Sequence, residues 1–104
     1  MYAFIVNPNS RSGLGLKIWG KLELILKERH IDYQIYFTRY PGHGAKLAAQ
    51  ICDTDADTLV VLGGDGTIGE VVGGIRDLTK LTLAYIPIGS GNDFARSMKL
   101  TKDP

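Results

Sequence analysis

The 104-residue chain reads as a three-layer α/β domain, a parallel sheet with helices on both faces. Three observations predict it. Strand and helix patterns alternate along the whole chain. Two of the four strand segments belong to continuous apolar runs, which suit a sheet covered on both sides. The connections are short, so the alternation implies βα units with right-handed crossovers.

Tyr2–Val6 is the first strand; it is too short for a signal peptide and stops at Asn7-Pro8, a turn signal. Leu16–Arg29 is a helix with Ile18, Leu22, Ile25 and Leu26 at helical spacing, and Glu23 and Lys27 stand i,i+4 apart. Tyr33–Thr38 is the second strand. Ala45–Cys52 places Ala45, Ala48, Ile51 and Cys52 on one helix face, with His43 as a helix-start residue and Cys52 as a small core residue. Thr58–Leu62 is the third strand. Thr67–Arg76 carries Ile68, Val71, Val72 and Ile75 at i, i+3, i+4 and i+7, the strongest helix pattern in the chain. Thr82–Ile86 is the fourth strand, and a last helix begins near Asn92.

Composition narrows the function classes. Twelve basic against eleven acidic residues leave no electrostatic footprint for nucleic acid. Arg96, Lys99 and Lys102 cluster near the C-terminus and read as a solvated face. No apolar run approaches the roughly 20 residues of a transmembrane segment. A single cysteine makes no internal disulfide, and a cytoplasmic, reducing location fits. Thirteen glycines are nearly twice the usual share of about 7%. They concentrate in loops.

The chemistry lies in those loops. Leu59-Val60-Val61-Leu62-Gly63-Gly64-Asp65-Gly66-Thr67 is an apolar strand that breaks into a glycine-rich turn and then a helix. Glycines let backbone N–H groups approach a ligand, and the helix start offers unpaired donors to an anion. Asp65 stands where a phosphate would lie, and a carboxylate tolerates phosphate only with a cation between them. Phosphate, Mg²⁺ and an acid together describe phosphoryl transfer from a nucleotide. About twenty residues on, Ile86-Pro87-Ile88-Gly89-Ser90-Gly91-Asn92-Asp93-Phe94 repeats the design. Gly63, Gly64, Gly66, Gly89 and Gly91 are thus candidate phosphate cradles. Thr67-x-x-Glu70 also fits a capping box, as Ser90-x-x-Asp93 does loosely, so capping and ligand contact both stand for these residues. Asp93 fits either the helix dipole or a water-mediated Mg²⁺ contact. Trp19 and the tyrosines carry no functional signal. No P-loop, dinucleotide fingerprint, Cys/His metal spacing or Ser-His-Asp set is present. In open parallel sheets ligands bind outside the carboxyl ends of the strands, where every one of these loops falls.

Four blocks resemble the diacylglycerol kinase catalytic domain, a superfamily that includes bacterial lipid kinases, sphingosine kinases and ceramide kinases. They are Asn7-Pro8-Asn9-Ser10-Arg11-Ser12-Gly13-Leu14-Gly15, with one residue more than the family signature, and Thr38-Arg39-Tyr40-Pro41-Gly42-His43-Gly44. Gly63-Gly64-Asp65-Gly66-Thr67 with Glu70, and Pro87-Ile88-Gly89-Ser90-Gly91-Asn92-Asp93-Phe94-Ala95, complete the set. The resemblance implies the nucleotide-binding fold of NAD kinases and phosphofructokinases, ATP and Mg²⁺ as cofactors, and a lipid hydroxyl as acceptor, diacylglycerol first. It implies nucleotide contact at Asn7, Thr38 and Glu70, and Asp65 as catalytic base or Mg²⁺ anchor with Asp93. Gly69 and Gly73 depart from it, because the family favours Asn there. Only the N-terminal domain of such an enzyme is covered. The expected acceptor half is a mostly β C-terminal domain that brings the lipid from the membrane surface, and a homo-oligomer is a further expected partner. NAD kinase-like activity and a non-catalytic nucleotide sensor are the alternatives.

Overall fold

The computed structural model describes residues 1–10, 13–75 and 81–88. Its elements run β1 (Tyr2–Val6), α1 (Leu14–Glu28), β2 (Tyr33–Phe37), α2 (His43–Cys52), β3 (Thr58–Gly63), α3 (Asp65–Gly74) and β4 (Thr82–Pro87). All strands are parallel in the order β2-β1-β3-β4. The expected three layers are there.

The apolar runs explain which strands are central. Ala3, Phe4, Ile5 and Val6 of β1 and Leu59 through Leu62 of β3 are all buried, because side chains alternate between two covered faces. Ala3, Ile5, Leu59 and Val61 pack with Leu47, Ala48 and Ile51 of α2 and Val71 of α3. Phe4, Val6, Val60 and Leu62 pack with Ile18, Trp19 and Leu26 of α1. On that side Trp19 lies 5.0 Å from Phe4 and 5.6 Å from Tyr33, centroid to centroid. β2, at one end of the order, is half-buried throughout.

Boundaries shift by one or two residues, most at helix starts. α1 and α2 each open two residues earlier than their apolar periodicity, behind glycine N-caps with left-handed backbone, Gly13 (φ 95°) and Gly42 (φ 88°). α3 also opens two residues early, at Asp65, and has ended by Ile75, which is extended. Val72 is 47% exposed although it was expected on the apolar stripe. It sits about 100° round the helix from buried Val71, at the stripe's flank. Ile25 is likewise exposed beside buried Leu26. Glu23 accepts a 2.7 Å hydrogen bond from the Tyr33 hydroxyl, and no Glu23–Lys27 ion pair occurs among the described residues. That bond holds the Tyr33 phenol above its ordinary pKa. The helix expected near Asn92 lies outside the described residues.

α2 and α3 cross closely because Gly74 has no side chain. A Cβ there would run into the Ala45 carbonyl. Gly15 plays the same part where α1 meets the Asn7 carbonyl. By contrast, a Cβ at Gly69 or Gly73 meets open space.

Candidate nucleotide site

The strand order reverses between β1 and β3. From β1 the chain crosses over α1 to β2 on one side, and later returns over α2 to β3 on the other. Such a switch point leaves a crevice at the carboxyl ends of the two strands. Asn7 and the Gly64–Thr67 turn flank it. The Asn7 N–H donates to the Leu62 carbonyl (2.9 Å), and its side-chain amide donates to Thr67 Oγ1 (3.4 Å). Asn7 Oδ1 accepts from the Asn9 N–H at 3.1 Å, the turn expected of an Asn before Pro. One residue therefore shapes its own loop and ties it to the next.

A groove of about 430 Å³ opens here. Of the sequence-predicted residues, Asn7, Thr38, Gly64, Gly66, Thr67 and Glu70 line it. Asn9, Ser10, Arg39, Tyr40 and Pro41 line it as well. These five stood inside the quoted motif blocks, but nothing in their residue types singled them out. Gly89, Ser90, Gly91 and Asp93 lie outside the described residues.

The floor of the groove is the start of α3. Gly64 is its extended N-cap and no side chain caps it. The Ile68 N–H makes the first bond back to the Gly64 carbonyl, at 3.2 Å. The N–H groups of Asp65, Gly66 and Thr67 therefore have no acceptor within the helix. Free donors at the positive end of a helix dipole suit an anion.

The capping-box reading of Thr67 and Glu70 is corrected. Because α3 begins at Asp65, Thr67 is already inside the first turn, buried, with its hydroxyl on the Asn7 amide. Glu70 Oε1 accepts from the Gly44 N–H at 3.2 Å, so it caps the neighbouring helix α2. Gly63 ends β3 and is not among the lining residues. A Cβ at Gly63 would press on the Thr67 side chain at 2.7 Å, so this glycine makes room for Thr67. Its carbonyl accepts from the Ile88 N–H at 2.9 Å and lies 3.3 Å from the Tyr85 hydroxyl.

Asp65 is exposed at the rim, the first residue of α3, outside the lining set. The Tyr85 phenol is pushed above its ordinary pKa, by burial first and then by the nearby charge of Asp65. Thr38 is buried, its N–H on the Val6 carbonyl at 3.0 Å. His43 begins α2, as expected, and its Nδ1 accepts from the Arg39 N–H at 2.9 Å. Its ring stacks on Tyr40 at 4.5 Å. Among the described residues no three His, Cys, Asp or Glu side chains gather as a metal cage.

The diacylglycerol kinase catalytic domain model matches residues 1–104. The chain belongs to that family. Its relatives include YtlR of Bacillus subtilis (strain 168), provisionally named a lipid kinase, at 36% identity over 95% of this chain and 33% of that protein. A diacylglycerol kinase of Staphylococcus saprophyticus is 32% identical over 95% of this chain and 33% of its own length. A solved structure from Bacillus anthracis str. Sterne, provisionally titled a diacylglycerol kinase, superposes with a TM-score of 0.71 at 32% identity. It covers 91% of this chain and 34% of that one. The fold is thus the NAD kinase-like one that the resemblance implied. The chain spans about a third of the length of these curated relatives.

Proposed function

We propose that this domain is the ATP-binding half of a lipid kinase that moves the γ-phosphate of ATP to a lipid hydroxyl, with diacylglycerol as the foremost substrate. The observation that carries the reading is the uncapped start of α3 at the switch point, beside a groove that six of the predicted residues line. The N–H groups of Gly66 and Thr67 hold the phosphates, with Gly64 giving the backbone its approach. Asn7, Thr38 and Glu70 border the nucleotide. Gly89, Ser90 and Gly91 are assigned a second set of phosphate contacts on their sequence alone.

A lone exposed carboxylate fits Mg²⁺, which binds through one or two carboxylates plus phosphate oxygens and water rather than an all-protein cage. Asp65 would hold it, with Asp93 through water. When bound, the ion neutralises charge on the transferring phosphoryl group. Asp65 stands at the rim, where it also meets the acceptor hydroxyl and can take its proton. The acceptor half of the cleft comes from a C-terminal domain, consistent with relatives about three times as long as this chain. That domain meets the lipid at the cytoplasmic membrane surface; no described helix is long and apolar enough to cross a membrane.

The test is transfer of radiolabelled phosphate from ATP to diacylglycerol or sphingosine in mixed micelles. The complete protein is expected to label lipid, and residues 1–104 alone are not. Labelling of NAD instead would replace the lipid reading, and ATP binding without transfer to any acceptor would favour a sensor.

A further inference from the structure

Helix α1 is amphipathic, but its outer face is not the plain polar one that such a helix usually turns to water. Ile18, Trp19 and Leu26 are buried against the sheet. Away from them, Leu16 is 50% exposed, Leu24 66% and Ile25 43%. Leu16 and Leu24 stand two turns apart with exposed Gly20 between them, so they belong to one row. A lone exposed leucine is ordinary, but three large apolar side chains on one short helix are not scattered singly.

Lysines fill the rest of this face. Lys17 and Lys21 lie one turn apart beside the leucine row, Lys27 lies just beyond Leu24, and all three are exposed. At about 100° per residue, these lysines share one half of the helix circumference with Leu16, Leu24 and Ile25. Glu28 is the one acid in that half, and Glu23 is drawn to the Tyr33 hydroxyl instead. Among the described residues none of the three lysines has an ion-pair partner. The chain as a whole is nearly balanced, with twelve basic and eleven acidic residues, so the positive charge here is local.

Apolar side chains interleaved with unpaired lysines suit an anionic bilayer. Lysine stems lie along the apolar layer while their ammonium groups reach the phosphates, and leucines enter the acyl boundary. A protein partner fits less well, because lysine is depleted from such interfaces. The helix also begins beside the groove. The Gly15 N–H donates to the Ser10 carbonyl at 3.2 Å, and Ser10 lines the groove.

We propose that the outer face of α1 is a membrane-docking surface: Leu16, Leu24 and Ile25 enter an anionic lipid layer, and Lys17, Lys21 and Lys27 pair with its phosphates. The inference deepens the lipid-kinase reading and rests on it for the reason a membrane is met at all. This domain then lies against the bilayer itself, with its groove at the surface that holds the acceptor.

The test sediments the complete protein with phosphatidylcholine vesicles, with and without phosphatidylglycerol. Binding is expected only with phosphatidylglycerol, and it should weaken as salt is raised. Lys17→Gln combined with Lys21→Gln should lower the partition constant about thirtyfold, at the usual contribution of a lysine near an anionic surface. Leu24→Gln should lower it about fivefold, since only apolar insertion is lost. Equal binding to neutral vesicles, or binding unchanged in the lysine variant, would overturn the proposal. So would a fall in the urea midpoint of Leu24→Gln, because the leucine would then be covered by another part of the protein or a second copy. Sedimentation needs no turnover, so it stands apart from the kinase assay. Vesicle binding by a protein that labels no lipid would sustain the docking face while the kinase reading fell. Labelling of diacylglycerol in micelles by a protein that ignores anionic vesicles would do the reverse.

Discussion

Helices α2 and α3 invite comparison. Each is ten residues long, each follows a parallel strand, and neither is capped by a side chain of its own. They end up differently. The α2 start has its Gly44 N–H tied to Glu70 of α3, and its His43 N–H tied to the Tyr40 carbonyl. The α3 start keeps the N–H groups of Asp65, Gly66 and Thr67 without helical acceptors, at the edge of the groove. One terminus is closed as architecture, and the other keeps free donors, which the proposed function gives to phosphate. The carboxylate that closes the first is borrowed from the second helix. A negative group is thereby kept occupied one turn away from the proposed phosphates.

The strongest way to break this contrast is at Asp65. Asp65→Asn keeps size and turn propensity but removes the charge at the open terminus. In the complete enzyme kcat is expected to fall at least about a hundredfold, as for a lost acid–base or metal contact. The urea midpoint should hardly move, because the residue is exposed. Near-normal turnover would show that the open terminus has no catalytic role.

The helix–helix contact comes next. In Gly74→Ala the new methyl would meet the Ala45 carbonyl, so α2 and α3 must part. A loss of about 1–3 kcal/mol is expected, read by urea unfolding, as for overpacked cores. Stability within error of wild type would mean the close crossing is not needed.

Glu70 separates capping from charge. Glu70→Ala removes the acceptor for Gly44 and should cost about 1 kcal/mol, in the range of lost helix caps. Glu70→Gln keeps an oxygen for that N–H and should recover most of the loss. If both variants were equally destabilised, the charge, not the cap, would be the stabilising element. The smallest change expected is a gain. Gly73→Ala points its methyl into open space and should stabilise α3 by roughly 0.5–1 kcal/mol without altering activity.

The fold was legible because the chain's two central strands announce themselves. Ala3–Val6 and Leu59–Leu62 are apolar at every position, which only a sheet covered on both faces explains. Most of the groove was legible too, since Asn7, Thr38 and the Gly64–Thr67 turn follow strands directly. What failed was local: a Thr-x-x-Glu spacing looks the same whether the Glu caps its own helix or its neighbour. The position of Gly44 beside Glu70 is set by two glycine-permitted close approaches, Gly74 on Ala45 and Gly44 on Glu70 and Val71. Periodicity carries no record of such approaches. Arg39 and Tyr40 were unmarked for a related reason, because a loop's path decides which of its side chains face a ligand.

The most direct test of the open terminus is a two-dimensional ¹⁵N NMR titration of the 104-residue chain with Mg·ATP. The amides of Gly64, Gly66 and Thr67 are expected to shift progressively, while that of Gly44, already held by Glu70, stays near its starting position. Shifts confined to Gly44 and the α2 start, or a response to NAD with none to ATP, would contradict the assignment of α3 as the phosphate-binding helix.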